Sequence, residues 1–370
     1  MKKSRKTRMS QMHGASIALS VAAMATLAGC AQTAATSSTS SSRAESANAA
    51  PARFTSPVMT AMLRTKAIDE LTESAFDSEP LLRANAIEGL QEAPEVVEPI
   101  ARAGLHDSNL GVRFVAAMVI GKLKLRDSVV FVEPLLNDSS TVVRAAAIFA
   151  LRENGQNANP TLLATMLESR DTTERAQAAL ILGLLGDPSA IGMLRSAARR
   201  SSPLTSMIED RIARLQIAEA LVKLGDVESI ETIRAALYPS RPEDLEATAL
   251  AVQIIGNVND RRSIDQLVYL TAREGQDKLP AEVRLGAAMS LAKLGNRRGG
   301  FIAEEYWQDA NPAIRAQAAF VFGATTSPDN LEKLDLLMDD EIGFVRIAAA
   351  SATLDALDRL PQTASVDTQR

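Results

Sequence analysis

Few residues of this chain could do covalent or metal chemistry. Its 370 residues include one cysteine, Cys30, and two histidines, His13 and His106. A lone thiol excludes a disulfide framework and a thiolate metal cluster. His13 lies in a leader argued below to be removed, and the remaining His106 cannot build a two-histidine zinc site. No G-x-S-x-G and no Asp-rich metal loop is present, and Gly295-Asn-Arg-Arg-Gly299-Gly300 lacks the Lys-Ser/Thr of a phosphate loop. No catalytic residue, cofactor or metal is expected, and the chain reads as non-enzymatic. Two features remain: Cys30, a thiol that can be alkylated, and a column of regularly spaced arginines.

Cys30 sits at the end of a distinctive segment. Lys2, Lys3, Arg5, Lys6 and Arg8 precede a mostly apolar stretch, Ala15 to Gly29, with no acid. The stretch is short for a bilayer span, and the basic start predicts a signal peptide over 1–29. Leu27-Ala28-Gly29-Cys30 resembles the lipobox of bacterial lipoproteins. That resemblance implies diacylglycerol on the Cys30 sulfur and a further acyl chain, such as palmitate, on its new amino group. At ~0.8 kcal/mol per buried CH₂, several chains hold a stable anchor where one does not. Ala31, in place of Asp, implies an outer-membrane protein facing the periplasm.

Loss of the leader takes away five positive charges and moves the formal charge from −5 to −10. An acidic protein is a poor candidate for nucleic acid or for lying on anionic lipid, so membrane contact is expected through the anchor only. Beyond Cys30, residues 31–52 are rich in Ser, Thr and Ala with no large apolar side chain. They form a flexible tether whose mean span is roughly 25 Å.

The arginines belong to a repeat running over 53–360. Aligned positions are Arg83, Arg113, Arg144, Arg175, Arg214, Thr248, Arg284, Arg315 and Arg346; five intervals are 30 or 31 residues and the others 39, 34 and 36. The position before the arginine is apolar in eight of nine units, and the third after it is Ala in eight of nine. Offsets −1, +3, +4 and +7 share one helical face. Asn109, Ser140, Asp171, Asp210, Asp244 and Asn311, four before the aligned position, are expected N-caps. Gly186 and Gly225 end their helices, and Asp187, Asp226 and Asp260 open the next ones. Each unit is therefore two helices.

This pattern resembles HEAT repeats, in particular the short HEAT-like repeats of phycobilin lyases. The fold implied is all-α, an α-solenoid of about nine HEAT-like helix pairs, with a frayed, disordered tail over 361–370. Stacked at ~10 Å per pair, it is expected to be a curved rod roughly 80–90 Å long, capped by 54–76 at one end and Asp355–Leu360 at the other. In the family an Asp six before the arginine pairs with an arginine of a neighbouring unit. Asp77, Asp107, Asp138, Asp309 and Asp340 occupy that position, while the middle units lack it. The Arg column is read as an internal ladder rather than a binding strip, because partly buried arginine needs a fixed acid.

The repeat is least regular in units four to seven, and insertions in solenoids often contact partners. Arg199, Arg200, Tyr238 and Arg241 are accordingly the expected partner site. Taken together, these features predict a lipid-tethered adaptor of the bacterial envelope, offering a concave surface of second helices to another protein or peptide. A bilin-lyase-like enzyme or subunit, and a spacer between membrane and cell wall, are the alternatives. Cys30→Ser is expected to release the protein from the membrane fraction after a salt wash; retention of the variant would exclude the lipid anchor.

Overall fold

The computed structural model describes residues 56–201 and 206–360; Cys30, its lipobox, the tether and the tail lie outside the described residues. Among the described residues there are eighteen α-helices and no strand. They pair into nine hairpins. The outer, first helices are α1 (Pro57–Ser74), α3 (Pro94–Gly104), α5 (Val129–Val132), α7 (Thr161–Leu167), α9 (Ile191–Ala198), α11 (Ile230–Ala235), α13 (Ile264–Ala272), α15 (Gly300–Tyr306) and α17 (Pro328–Leu337). The inner, second helices are α2 (Pro80–Gly89), α4 (Leu110–Lys122), α6 (Thr141–Glu153), α8 (Thr172–Leu185), α10 (Met207–Lys223), α12 (Leu245–Asn257), α14 (Ala281–Lys293), α16 (Pro312–Thr325) and α18 (Gly343–Asp358).

Capping largely follows the expected chemistry. The side chains of Asn109, Asp171 and Asn311 accept from the backbone two residues on, and Ser140 holds the N-cap position without a side-chain bond. Gly186 and Gly225 adopt φ of 69° and 95°, where a side chain would be strained. Asp210 differs from expectation, whereas Asp244 holds the N-cap position of α12 without a side-chain bond. An additional N-terminal stretch starts α10 at Met207 with Ser206 as its cap, so Asp210 lies inside the helix. Asp244 ends a 3₁₀ turn over Pro242–Asp244. Both carboxylates take part in the ladder.

Small residues bring the inner helices together. The Ala column is buried, with Ala86, Ala116, Ala147, Ala178, Ala251, Ala287, Ala318 and Ala349 fully covered. Eight residues after the arginine, glycine recurs and touches the next inner helix. A Cβ on Gly121 would stand 2.6 Å from the Phe149 ring, and one on Gly323 2.7 Å from the Ala352 carbonyl. Small residues at these contacts let the inner helices approach closely, so each hairpin is a wedge, narrow on the inside.

Nine such wedges close the circle. The last inner helix, α18, packs against α1 and α2, and α17 lies beside α1. Arg64 bridges Asp358 of α18 and Glu95 of α3, Lys66 bridges Asp335 and Asp339, and Arg346 reaches Glu70. Leu63, Ala67 and Leu71 of α1 are buried within the core that includes Leu354 and Ala356. The expected rod with two capped ends is thus corrected to a ring, because wedge angle accumulates and each end finds its cover on the other. Leu71→Ala is expected to cost about 2–5 kcal/mol and to raise the radius of gyration in X-ray scattering as the seam loosens. Leu163→Ala, equally buried in the fourth hairpin, is expected to cost as much in urea denaturation while leaving the seam shut.

Candidate binding surfaces

In the regular units one guanidinium ties two hairpins together. Arg83 donates to both Asp107 carboxylate oxygens at 2.7 and 2.8 Å, and its third nitrogen donates to the carbonyls of Asp77 and Ser78. Arg113 repeats this with Asp138, and Arg315 with Asp340. Each acid also accepts a backbone N–H two residues on, from Asn109, Ser140 and Ile342. The turn, its own helix and the next unit are thereby fixed by one bidentate pair. Partial burial pushes the carboxyls of Asp107, Asp138 and Asp340 upward. The arginine and backbone hydrogen bonds outweigh it and hold all three below the usual aspartate range.

The irregular units complete the ladder differently. Arg175, 2% exposed, takes Asp210 at 3.2 Å. Arg211, rather than the aligned Arg214, reaches Asp244 at 2.5 Å, whose carboxyl is held at about 2 by the Ser240 backbone and this guanidinium. Arg214 is half-exposed and meets only Asp210, four residues back at 3.6 Å. The longer α10 explains this: its extra turn carries Arg211 to the junction and swings Arg214 outward. Thr248, fully buried, replaces the guanidinium with a hydroxyl donated to the Ala236 carbonyl at 2.8 Å. Arg144 meets only carbonyls and Thr141. Arg284 selects Glu305 and the Tyr306 hydroxyl, both at 2.7 Å, leaving Asp309 to cap its own turn. Asp77 likewise caps its turn, since Arg346 takes Glu70. A second ladder joins outer helices: Arg195 binds Asp226 and Arg234 binds Asp260. Only Arg234–Asp260, 26 residues apart, resembles the spacing of 24 or 25 in the first ladder; Arg195–Asp226 spans 31.

The interior of the ring offers little open surface. Val115, Met118 and Phe149 of the inner helices are each at most 5% exposed. The broad concave groove expected of the second helices is closed there, since closure brings the inner helices together. Polar side chains collect where the inner helices end. Burial raises the Glu88 carboxyl, against the attraction of Lys122 at 3.8 Å, and one Glu88 oxygen has no partner. Desolvation lowers the Lys293 ammonium, against Glu219 and Asp355.

Two concavities lie elsewhere. The larger, about 910 Å³, follows α1 and ends at Met338 and Asp339. Its walls include Val58 and Met62, 72% and 60% exposed, and the acids Asp69, Glu70, Glu73 and Asp339. The smaller, about 250 Å³, is bordered by Arg199 and the Arg195–Asp226 pair. Of the expected partner residues, Arg199 and Arg200 end α9, with Arg200 near Glu168, whereas Tyr238 and Arg241 lie in the loop after α11. All four are exposed, but no hydrogen bond or ion pair joins the two loops among the described residues. Among the described residues no helix is long and apolar enough to cross a membrane, and no group of three or more metal-binding side chains occurs.

With this architecture in view, the relationships of the chain can be stated. Residues 61–152 match the HEAT repeats family, and residues 213–238 match the PBS lyase HEAT-like repeat. The chain contains HEAT repeats arranged as an all-α solenoid. It is similar to the structure of human deoxyhypusine hydroxylase in complex with glycerol, at 17% identity over 81% of this chain and 99% of that one, with a TM-score of 0.35. It is also similar to the complex of CpcE and CpcF of phycocyanin lyase from Nostoc sp. PCC7120, at 19% identity over 70% of this chain and 96% of that one, with a TM-score of 0.36. No curated protein matches the chain significantly. The expectation of a non-enzymatic chain is corrected by residues 213–238, whose repeat model is that of a lyase.

The ladder sets a pH dependence. Asp138 has a folded pKa below its unfolded value, so its contribution is complete above about pH 4 and is lost as pH falls through the folded value. Asp138→Asn is expected to cost about 2–4 kcal/mol in urea denaturation at neutral pH, with the gap to wild type narrowing on acidification. A gap constant with pH would contradict the ionic rung.

Proposed function

We propose that the protein is a protein-interaction platform of the bacterial envelope, lipidated at Cys30 and docking a partner in the groove at the ring's seam. The observation carrying this reading is the groove beside α1. It sets exposed Val58 and Met62 against a wall of Asp69, Glu70 and Glu73. The one lysine on this wall, Lys66, is already held by Asp335 and Asp339. The occupant best suited is a helical segment with an apolar stripe flanked by Lys and Arg. Because first and last hairpins both line the groove, such a segment would bridge the seam and favour the closed ring.

The tether would keep the groove within reach of the membrane while permitting reorientation. Lipidation at Cys30 and an outer-membrane location rest on Leu27-Ala28-Gly29-Cys30 and Ala31.

A designed amphipathic peptide with a leucine stripe and lysine flanks is expected to bind the full chain, measured by fluorescence anisotropy. Its glutamate-flanked counterpart is expected to bind at least tenfold more weakly. Met62→Asp should reduce binding of the basic peptide about tenfold or more, through loss of apolar burial. Equal binding of the two peptides, or indifference to Met62→Asp, would overturn the groove reading.

A further inference from the structure

The ring has two rims. On one, each inner helix ends and the next outer helix begins; on the other, outer helices turn back into inner ones. Arg64 of α1 bonds Glu95 in the first turn of α3 and Asp358 at the end of α18, which places the start of α1 on the first rim. Whatever precedes Pro57 therefore enters the ring there.

The same rim carries a cationic patch that the ladders leave unused. Arg261 and Arg262 precede α13, and Arg297 and Arg298 precede α15, in consecutive hairpins. All four are exposed and none has an ion-pair partner among the described residues. Asp260, the acid beside the first pair, is already engaged by Arg234 and Ser263. Phe301, in the first turn of α15 beside the second pair, is 61% exposed. Free arginines around an exposed aromatic ring match an interfacial surface, in which guanidinium groups meet lipid phosphates and the ring enters the acyl boundary.

We infer that the rim bearing Arg261, Arg262, Arg297, Arg298 and Phe301 rests on an anionic phospholipid surface. The net negative charge of the chain argued against such contact, but screening confines electrostatics to about a Debye length, so the four arginines outweigh the exposed Asp265 beside them and the acids farther off. The inference rests on the Cys30 tether for its orientation only: a tether entering at this rim turns it toward the membrane. The anchor then raises the effective concentration of the patch at the lipid surface.

The test uses the full chain with Cys30→Ser and with Lys2, Lys3, Arg5, Lys6 and Arg8 changed to Gln, so that neither acyl chains nor the leader contributes. It is expected to sediment with vesicles containing phosphatidylglycerol and not with phosphatidylcholine alone, and to be released by added salt. Arg297→Ala with Arg298→Ala should weaken binding about thirtyfold, and Arg261→Ala with Arg262→Ala similarly. Circular dichroism of these surface variants confirms the fold. Equal binding to both vesicle types, no binding to either, or unchanged affinity in both double variants overturns the inference. Failure of the lipid anchor itself would instead appear as membrane retention of the single Cys30→Ser variant in cells after a salt wash that strips the rim contact.

Discussion

The closing contact between the ninth hairpin and the first governs the rest of this molecule. A solenoid hairpin can bury its apolar face only against a neighbour, so an open stack leaves two faces in water. Here α18 covers α1 and α2, and Arg346 makes on Glu70 the rung that Arg83 makes on Asp107. The apolar contacts of Leu63 and Leu71 supply most of the cohesion, and the half-exposed ion pairs of Arg64 and Lys66 set the register. Closure also shuts most of the interior, which moves available binding surface to the seam and the rims.

The ladder explains how irregular repeats remain in phase. Its requirement is a guanidinium that reaches both its own turn and the acid of the next unit. Where spacing drifts, another residue meets the requirement: Arg211 in place of Arg214, Glu305 in place of Asp309, a threonine hydroxyl at Thr248. The energetic reason is the cost of leaving a buried charge or carbonyl unpaired, which exceeds the net gain of any one bond. Arginines outside this network, at the rim of hairpins seven and eight, therefore stand out as free for an external ligand.

Much of the architecture was legible in the residues. The Ala column, the helix-starting Asn109 and Asn311, and the glycines at the ends of helices each have a local physical cause acting within one or two turns. The regular rungs at Asp107, Asp138 and Asp340 were legible for the same reason, since each lies at a fixed step from its arginine. Asp210 was misread as a cap because the extension of α10 is decided by how the inserted loop packs. The four expected partner residues fell on two loops, since proximity in an irregular stretch of chain says little about proximity around a ring.

The sequence by itself determined that the chain is a series of helix pairs, which residues face the core, and that Cys30 sits in a lipobox-like setting. These follow from short-range periodicity and chemistry. Only the tertiary structure decided that the series is a ring with a seam groove and an arginine rim. Curvature is a sum of small angles over nine junctions, and no single repeat contains it.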